Sequence, residues 1–151
     1  MFGQAMMSSP VTDTDRSPKG VVAEFVARLN GAGDPWALLY EAAVVTVNGT
    51  TPLSGRYPGT SLIRGILVDS ARVVIASLNV SIAELIGTGE RVAALLRLSG
   101  HSTAGVPFNV EGRLCGCVFA VNAGVIEEVI LFPDTSLIEI ALYRRSYVPD
   151  A

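Results

Sequence analysis

Apolar residues recur along this chain with two different periods, helical in the first half and alternating in the second. Ser17-Pro18 supplies a capping side chain followed by proline at the first helical position. Val21, Val22, Phe25, Val26 and Leu29 then recur at three- and four-residue spacing, and Asn30-Gly31 closes the run. Asp34-Pro35 repeats the start signal for a short helix carrying Trp36, Leu38, Leu39 and Tyr40. AAVVTVN reads as a buried first strand. GTTPLSGRYPGT is a turn-rich loop, its Gly55–Gly59 stretch leading into a third helix capped by Thr60, with Leu62, Ile63, Ile66 and Leu67 on one face. Residues 72–78 read as helix end and loop, followed by a strand over 79–86.

From Arg91 the period falls to two. RVAALLRLSGH and VPFNVEGRLCGCVFAV are too long and too rich in Val, Leu, Phe and Cys for loops, and the turns STAG and NAG punctuate them. VIEEVILF is a further strand stopped by FPDTS, where Asp134 or Thr135 caps a last helix with Leu137, Ile138, Ala141 and Leu142 inward. The elements predict an α+β fold: a cone-shaped, curved antiparallel (mixed) β-sheet covered by three N-terminal helices, plus a short C-terminal helix. One domain spans 17–145, between a disordered tail at 1–16 and a second tail at 146–151.

Alternation assigns faces. If Cys117 faces the trough beneath the helices, so do Asn109, Glu111, Arg113, Cys115 and Phe119, and on the preceding strand Ala93, Leu95, Arg97, Ser99 and His101. A five-residue hairpin loop sets Arg97 opposite Glu111; a four-residue loop, or a bulge at Gly105 or Gly112, changes that. The expected pocket is apolar at its base (Leu95, Cys117, Phe119, Leu131), with the Arg97–Glu111 pair near its mouth and His101 beyond. The opposite face (Val92, Ala94, Leu96, Leu98; Leu114, Gly116, Val118, Ala120; Ile126, Ile130, Phe132) is apolar where a wet sheet face is polar. A second copy is the simplest cover, so a homodimer through the convex face is expected.

Composition narrows the classes. Half of the 151 residues are hydrophobic and 17% are charged, so much apolar surface must be buried. No apolar run approaches the roughly 20 residues of a membrane helix, so no membrane partner is expected. A net charge of −3 without a basic stripe argues against nucleic acid. The first 16 residues lack a secretory pattern, and two cysteines fit a cytoplasmic location.

Candidate chemistry is sparse. Arg97 and Glu111 read either as a cross-strand salt bridge worth ~0.2–1 kcal/mol or as a functional pair. His101, the only histidine, lies beside a turn with no carboxylate near in sequence to orient it. Cys115 and Cys117 share a strand face about 7 Å apart, a spacing that suits neither a disulfide nor a zinc site. No metal or cofactor is expected. Trp36, Tyr40 and Tyr57 could rim a ligand mouth.

The wording FVARLNGAGDPWALL, VVTVNGTTPLSGRYPG and CVFAVNAGVIEEVILFPD resembles the nuclear-transport-factor-2-like superfamily, closest to its SnoaL-like branch of ketosteroid isomerases, polyketide cyclases and limonene-type epoxide hydrolases. The likeness covers roughly residues 18–142 and implies a cone with a pocket. Position by position it implies little chemistry. The isomerase base falls on Val47, with Asn48 beside it, the tyrosine on Phe25, and the oxyanion acid on or near Cys117. Valine takes no proton, phenylalanine donates no hydrogen bond, and an amide is no base. The epoxide-hydrolase set lands near Leu95, Arg97 and Leu131, and the cyclase acid also on Leu131. The sequence therefore points to a SnoaL-like domain that binds a small apolar molecule without the family's catalytic acids. The alternative is an isomerase, cyclase or epoxide-hydrolase-like enzyme with a rearranged site drawing on Glu111, Arg97, Arg113, His101 or Asn48.

Overall fold

The computed structural model describes residues 16–144; apart from Arg16, the tails expected at either end lie outside the described residues. Helix α1 (Pro18–Ala27) begins as its sequence dictates. Ser17 Oγ accepts the Gly20 N–H at 3.1 Å, a cap worth about 1 kcal/mol, and Val21, Val22, Phe25 and Val26 are buried. A wide turn, Arg28–Ala32, follows. The second helix, α2, is a single tight turn (Pro35–Leu38) started by Asp34, which accepts the Trp36 N–H at 3.0 Å. Leu39 and Tyr40, expected on that helix, instead open strand β1 (Leu39–Val47), because Leu39 already has extended backbone angles.

Strand β2 (Gly55–Pro58), expected as a turn, pairs antiparallel with β1. Three consecutive helical segments, Thr60–Leu62, Ile63–Val68 and Asp69–Val74, form one continuous helix, α3. Its buried residues are Ile63 and Val74, with Leu67 and Ala71 partly covered between them, whereas Leu62 and Ile66 are exposed. The chain passes directly from Val74 into strand β3 (Ile75–Ile86), so the loop expected at 72–78 does not exist. Strands β4 (Arg91–Ser102), β5 (Pro107–Phe108), β6 (Leu114–Asn122) and β7 (Val125–Phe132) complete the sheet. Helix α4 (Leu137–Leu142) ends it, with the Asp134 carboxylate accepting the Leu137 N–H.

The seven strands run in the order β2-β1-β7-β6-β4-β3, with β5 added beside β4. Only β1 and β7 pair in parallel, so the sheet is mixed. The α+β cone expected from the sequence is the observed architecture. On the open edge of β3, the Asn30 amide mimics a neighbouring strand: Nδ2 donates to Val80 O at 2.6 Å and Oδ1 accepts the Val80 N–H at 2.9 Å. This contact ties the end of α1 to the sheet edge.

The decisive departure from expectation lies between β4 and β6. At the hairpin tip, His101 pairs with Pro107 and Gly100 with Phe108, as a five-residue loop requires. Continuing that register would set Arg97 opposite Glu111. Instead Arg97 lies opposite Leu114, because the chain leaves the ladder after Phe108 and rejoins it three residues late. Asn109 makes the detour, with φ of +53°. Its Nδ2 donates to Leu98 O at 2.9 Å and Arg113 O at 3.0 Å, and its Oδ1 accepts the Arg113 N–H at 2.9 Å. Gly112, also at positive φ (+72°), returns the chain. An odd offset reverses the parity of one strand against the other. Leu96 pairs with Cys115, Ala94 with Cys117 and Val92 with Phe119, facing the helices. Leu95 and Arg97 face the convex side, Leu95 together with Gly116.

Two apolar clusters result. The larger joins α1 to the sheet through the fully buried Val22, Val92, Phe119 and Ile126. Within it Phe25 and Phe119 meet edge-to-face, 6.2 Å between centroids and 70° between planes, a geometry worth ~0.5–1.5 kcal/mol beyond area burial. The smaller gathers Leu53, Val74, Phe108, Ile138 and Leu142, where α3, the hairpin tip and α4 meet.

Candidate functional site

A cavity of about 310 Å³ is lined by residues of both clusters, at the lower end of small-molecule sites. Its floor is the concave sheet face: Val45 and Val47 of β1, Leu78 and Val80 of β3, Leu96 and Leu98 of β4, Cys115, Cys117 and Phe119 of β6, and Val129 and Leu131 of β7. α1 contributes Phe25 and Val26, the turn after it Leu29, α3 contributes Leu67 and Ala71, and α4 contributes Leu137, Ile138 and Leu142.

The pocket residues expected from the sequence divide cleanly. Phe25, Val47, Cys115, Cys117, Phe119 and Leu131 line the cavity, as does Arg113. Leu95, Arg97 and His101 do not, because the three-residue offset turns their face of β4 outward. His101 is exposed and its Nδ1 lies 3.4 Å from Ser77 Oγ. Glu111 sits on the exposed turn, 3.9 Å from Arg113, and makes no pair with Arg97. Asn48 is exposed at the end of β1, its N–H donating to Leu131 O. Of the aromatic rim, Trp36 stacks under the Arg64 guanidinium at 4.2 Å, Tyr40 is half exposed, and the Tyr57 hydroxyl donates to Leu53 O at 2.8 Å. None of the three lines the cavity.

The cavity also holds a group that the sequence offered only as a helix cap. Asp134 lines it beside Arg113, with 3.7 Å between Arg113 Nη1 and Asp134 Oδ2. Its signal lay in the run Leu131-Phe132-Pro133-Asp134, where proline ends the strand and holds the next side chain beside the trough. Asn109 lines the same end, with its amide engaged in the turn. Both thiols are free. Burial, and then the neighbouring Cys115, push Cys117 up to about 12. Burial, and then the Asp134 charge, raise Cys115. The thiols are therefore neutral and unreactive at ordinary pH. Among the described residues no cluster of three or more His, Cys, Asp or Glu side chains could hold a metal ion.

This cone has close structural counterparts. An NTF2-like protein of unknown function from Burkholderia pseudomallei superposes with a TM-score of 0.70 at 17% identity, over 83% of this chain and 96% of that one. The chain has the nuclear-transport-factor-2-like fold. Others of that fold are similar with a ligand bound. A ketosteroid isomerase-like protein from Catenulispora acidiphila in complex with trimethylamine gives a TM-score of 0.63 at 13% identity, over 82% and 92% of the two chains. A Mycobacterium tuberculosis protein in complex with estradiol-17beta-hemisuccinate gives 0.65 at 19% identity, over 80% and 97%. No protein-family model matches the sequence, and no curated protein matches it. Within the nuclear-transport-factor-2-like fold, the floor of this chain's cavity is aliphatic, aromatic and sulfur-bearing, and its charge is confined to Arg113 and Asp134.

Proposed function

We propose that this chain is a SnoaL-like binding domain that takes up a small apolar molecule in the cavity between its sheet and its helices. The observation that carries this reading is the 310 Å³ apolar hollow, roofed by helices and floored by strands β1, β3, β4, β6 and β7. Such a space favours a ligand through loss of apolar surface from water. The ligand-bound counterparts, with a steroid ester and a small amine, support a binding role. The reading includes a homodimer through the convex face, a cytoplasmic location and no nucleic-acid partner. No helix among the described residues is long and apolar enough to cross a membrane.

One observation favours the second reading, an isomerase, cyclase or epoxide-hydrolase-like enzyme. A carboxylate, Asp134, borders the cavity beside a guanidinium. Native mass spectrometry of the purified protein and titration with the neutral fluorophore N-phenyl-1-naphthylamine test the binding reading. Saturable fluorescence enhancement is expected, and Leu131→Trp, which fills the cavity, is expected to abolish it while circular dichroism is unchanged. Equal enhancement in both proteins would place the fluorophore elsewhere and remove the reading.

A further inference from the structure

The polar end of the cavity is chemically asymmetric. Arg113 approaches Glu111 at 3.9 Å and Asp134 at 3.7 Å, both beyond hydrogen-bond reach, so its guanidinium donors are uncommitted. Asp134 Oδ1 accepts the Leu137 N–H at 3.3 Å, which fixes the carboxylate, while Oδ2 has only the long contact to Arg113. The cavity is therefore bordered, at an edge open to solvent, by one donor set (Arg113 60% exposed) and one acceptor (Asp134 30% exposed) that no protein group satisfies at hydrogen-bond distance. Asn109 offers no donor, because both hydrogens of its amide are already engaged.

Charge selects among ligand headgroups. A carboxylate placed against Arg113 would lie against the Asp134 charge and near that of Glu111. An ammonium placed against Asp134 would lie against the Arg113 charge. A neutral group that both donates and accepts avoids both repulsions and completes both partners. The geometry points to an uncharged apolar ligand bearing a hydroxyl, its oxygen accepting from the Arg113 guanidinium and its proton donated to Asp134 Oδ2. This deepens the binding reading above and rests on it. The Asp134 charge is also felt at Cys115 in the cavity wall, consistent with a carboxylate whose field reaches the ligand space.

The test is displacement of N-phenyl-1-naphthylamine by four probes of eight carbons each: 1-octanol, 1-methoxyheptane, octanoate and octylamine. The ether can accept from Arg113 but has no proton for Asp134. 1-Octanol is expected to bind about fivefold more tightly than the ether, the yield of one net hydrogen bond, and more tightly than either charged probe. Asp134→Asn keeps the capping oxygen but loses the free acceptor, so the alcohol's advantage over the ether should vanish. Arg113→Met should weaken alcohol and ether alike. Tighter binding of octanoate or octylamine, or an alcohol–ether gap that survives Asp134→Asn, overturns the assignment while leaving the apolar cavity intact. Absence of any displaceable fluorophore overturns both.

Discussion

Asn109→Ala is the sharpest perturbation of this fold, because one side chain sets which face of β4 meets the cavity. The substitution removes three hydrogen bonds, all between 2.9 and 3.0 Å. Asn109 is 7% exposed, so the abandoned groups gain little water. At a net ~1 kcal/mol each, the bonds account for about 3 kcal/mol. Alanine at φ of +53° adds roughly 1 kcal/mol that asparagine largely escapes. The expected loss is about 4 kcal/mol, a large part of the ~5–15 kcal/mol that a domain has in total. Urea denaturation followed by circular dichroism reads it directly. Asn109→Gly separates the two contributions: it relieves the backbone strain but not the lost bonds, and should fall about 1 kcal/mol short of the alanine variant's loss. A loss under 1 kcal/mol in Asn109→Ala would show that the register is held by hydrophobic pairing alone, and the clamp argument would fail.

Other consequences follow from the site and the sheet. The two thiols have raised pKa values, so they hold protons in the fold that the unfolded chain releases from about pH 9, their ordinary value being 9.0. Stability is therefore unaffected below that pH and falls as pH rises towards about 12, by roughly 1.4 kcal/mol per unit for each thiol in its window. Cys117→Ala should flatten much of that slope in urea melts run at several alkaline pH values; an unchanged slope would contradict it. Native protein at pH 8 should resist iodoacetamide at both cysteines, and urea-unfolded protein should take up two equivalents, counted by mass spectrometry. The convex face pairs Ala93 with Val118, Leu95 with Gly116, and Gly116 with Phe132. Sedimentation at micromolar concentration should therefore give the mass of two chains, with Val118→Lys reducing it to one. A monomeric wild type would remove the dimer.

The sequence disclosed periodicity well and counted offsets badly. The Ser17 cap, the inward face of α1, the meander and the Asp134 helix cap are local signals, each spoken by adjacent residues. Cys115, Cys117 and Phe119 share one strand, so their common face needed no partner to define it. The face of β4 was different, because it depends on how many residues intervene before pairing resumes. Phe108-Asn109-Val110 looks as continuous as a strand, and nothing local announces that Asn109 departs from it. Asp134 was visible as a cap, but its place beside Arg113 arises only when β7 is laid next to β6. The aromatic residues Trp36 and Tyr57 failed as rim candidates for a related reason: their partners, Arg64 and Leu53 O, lie on separate elements or loops.

The excursion at 110–112 makes chain length itself a determinant of ligand chemistry. β4 carries two alternative linings, the aliphatic Ala94, Leu96 and Leu98 and the cationic or polar Arg97, Ser99 and His101. An odd-numbered deletion in that excursion would reverse the parity of β4 against β6 without any codon in either strand changing. A single indel there would thus change what the cavity is lined with, where point substitution would have to replace the side chains one by one.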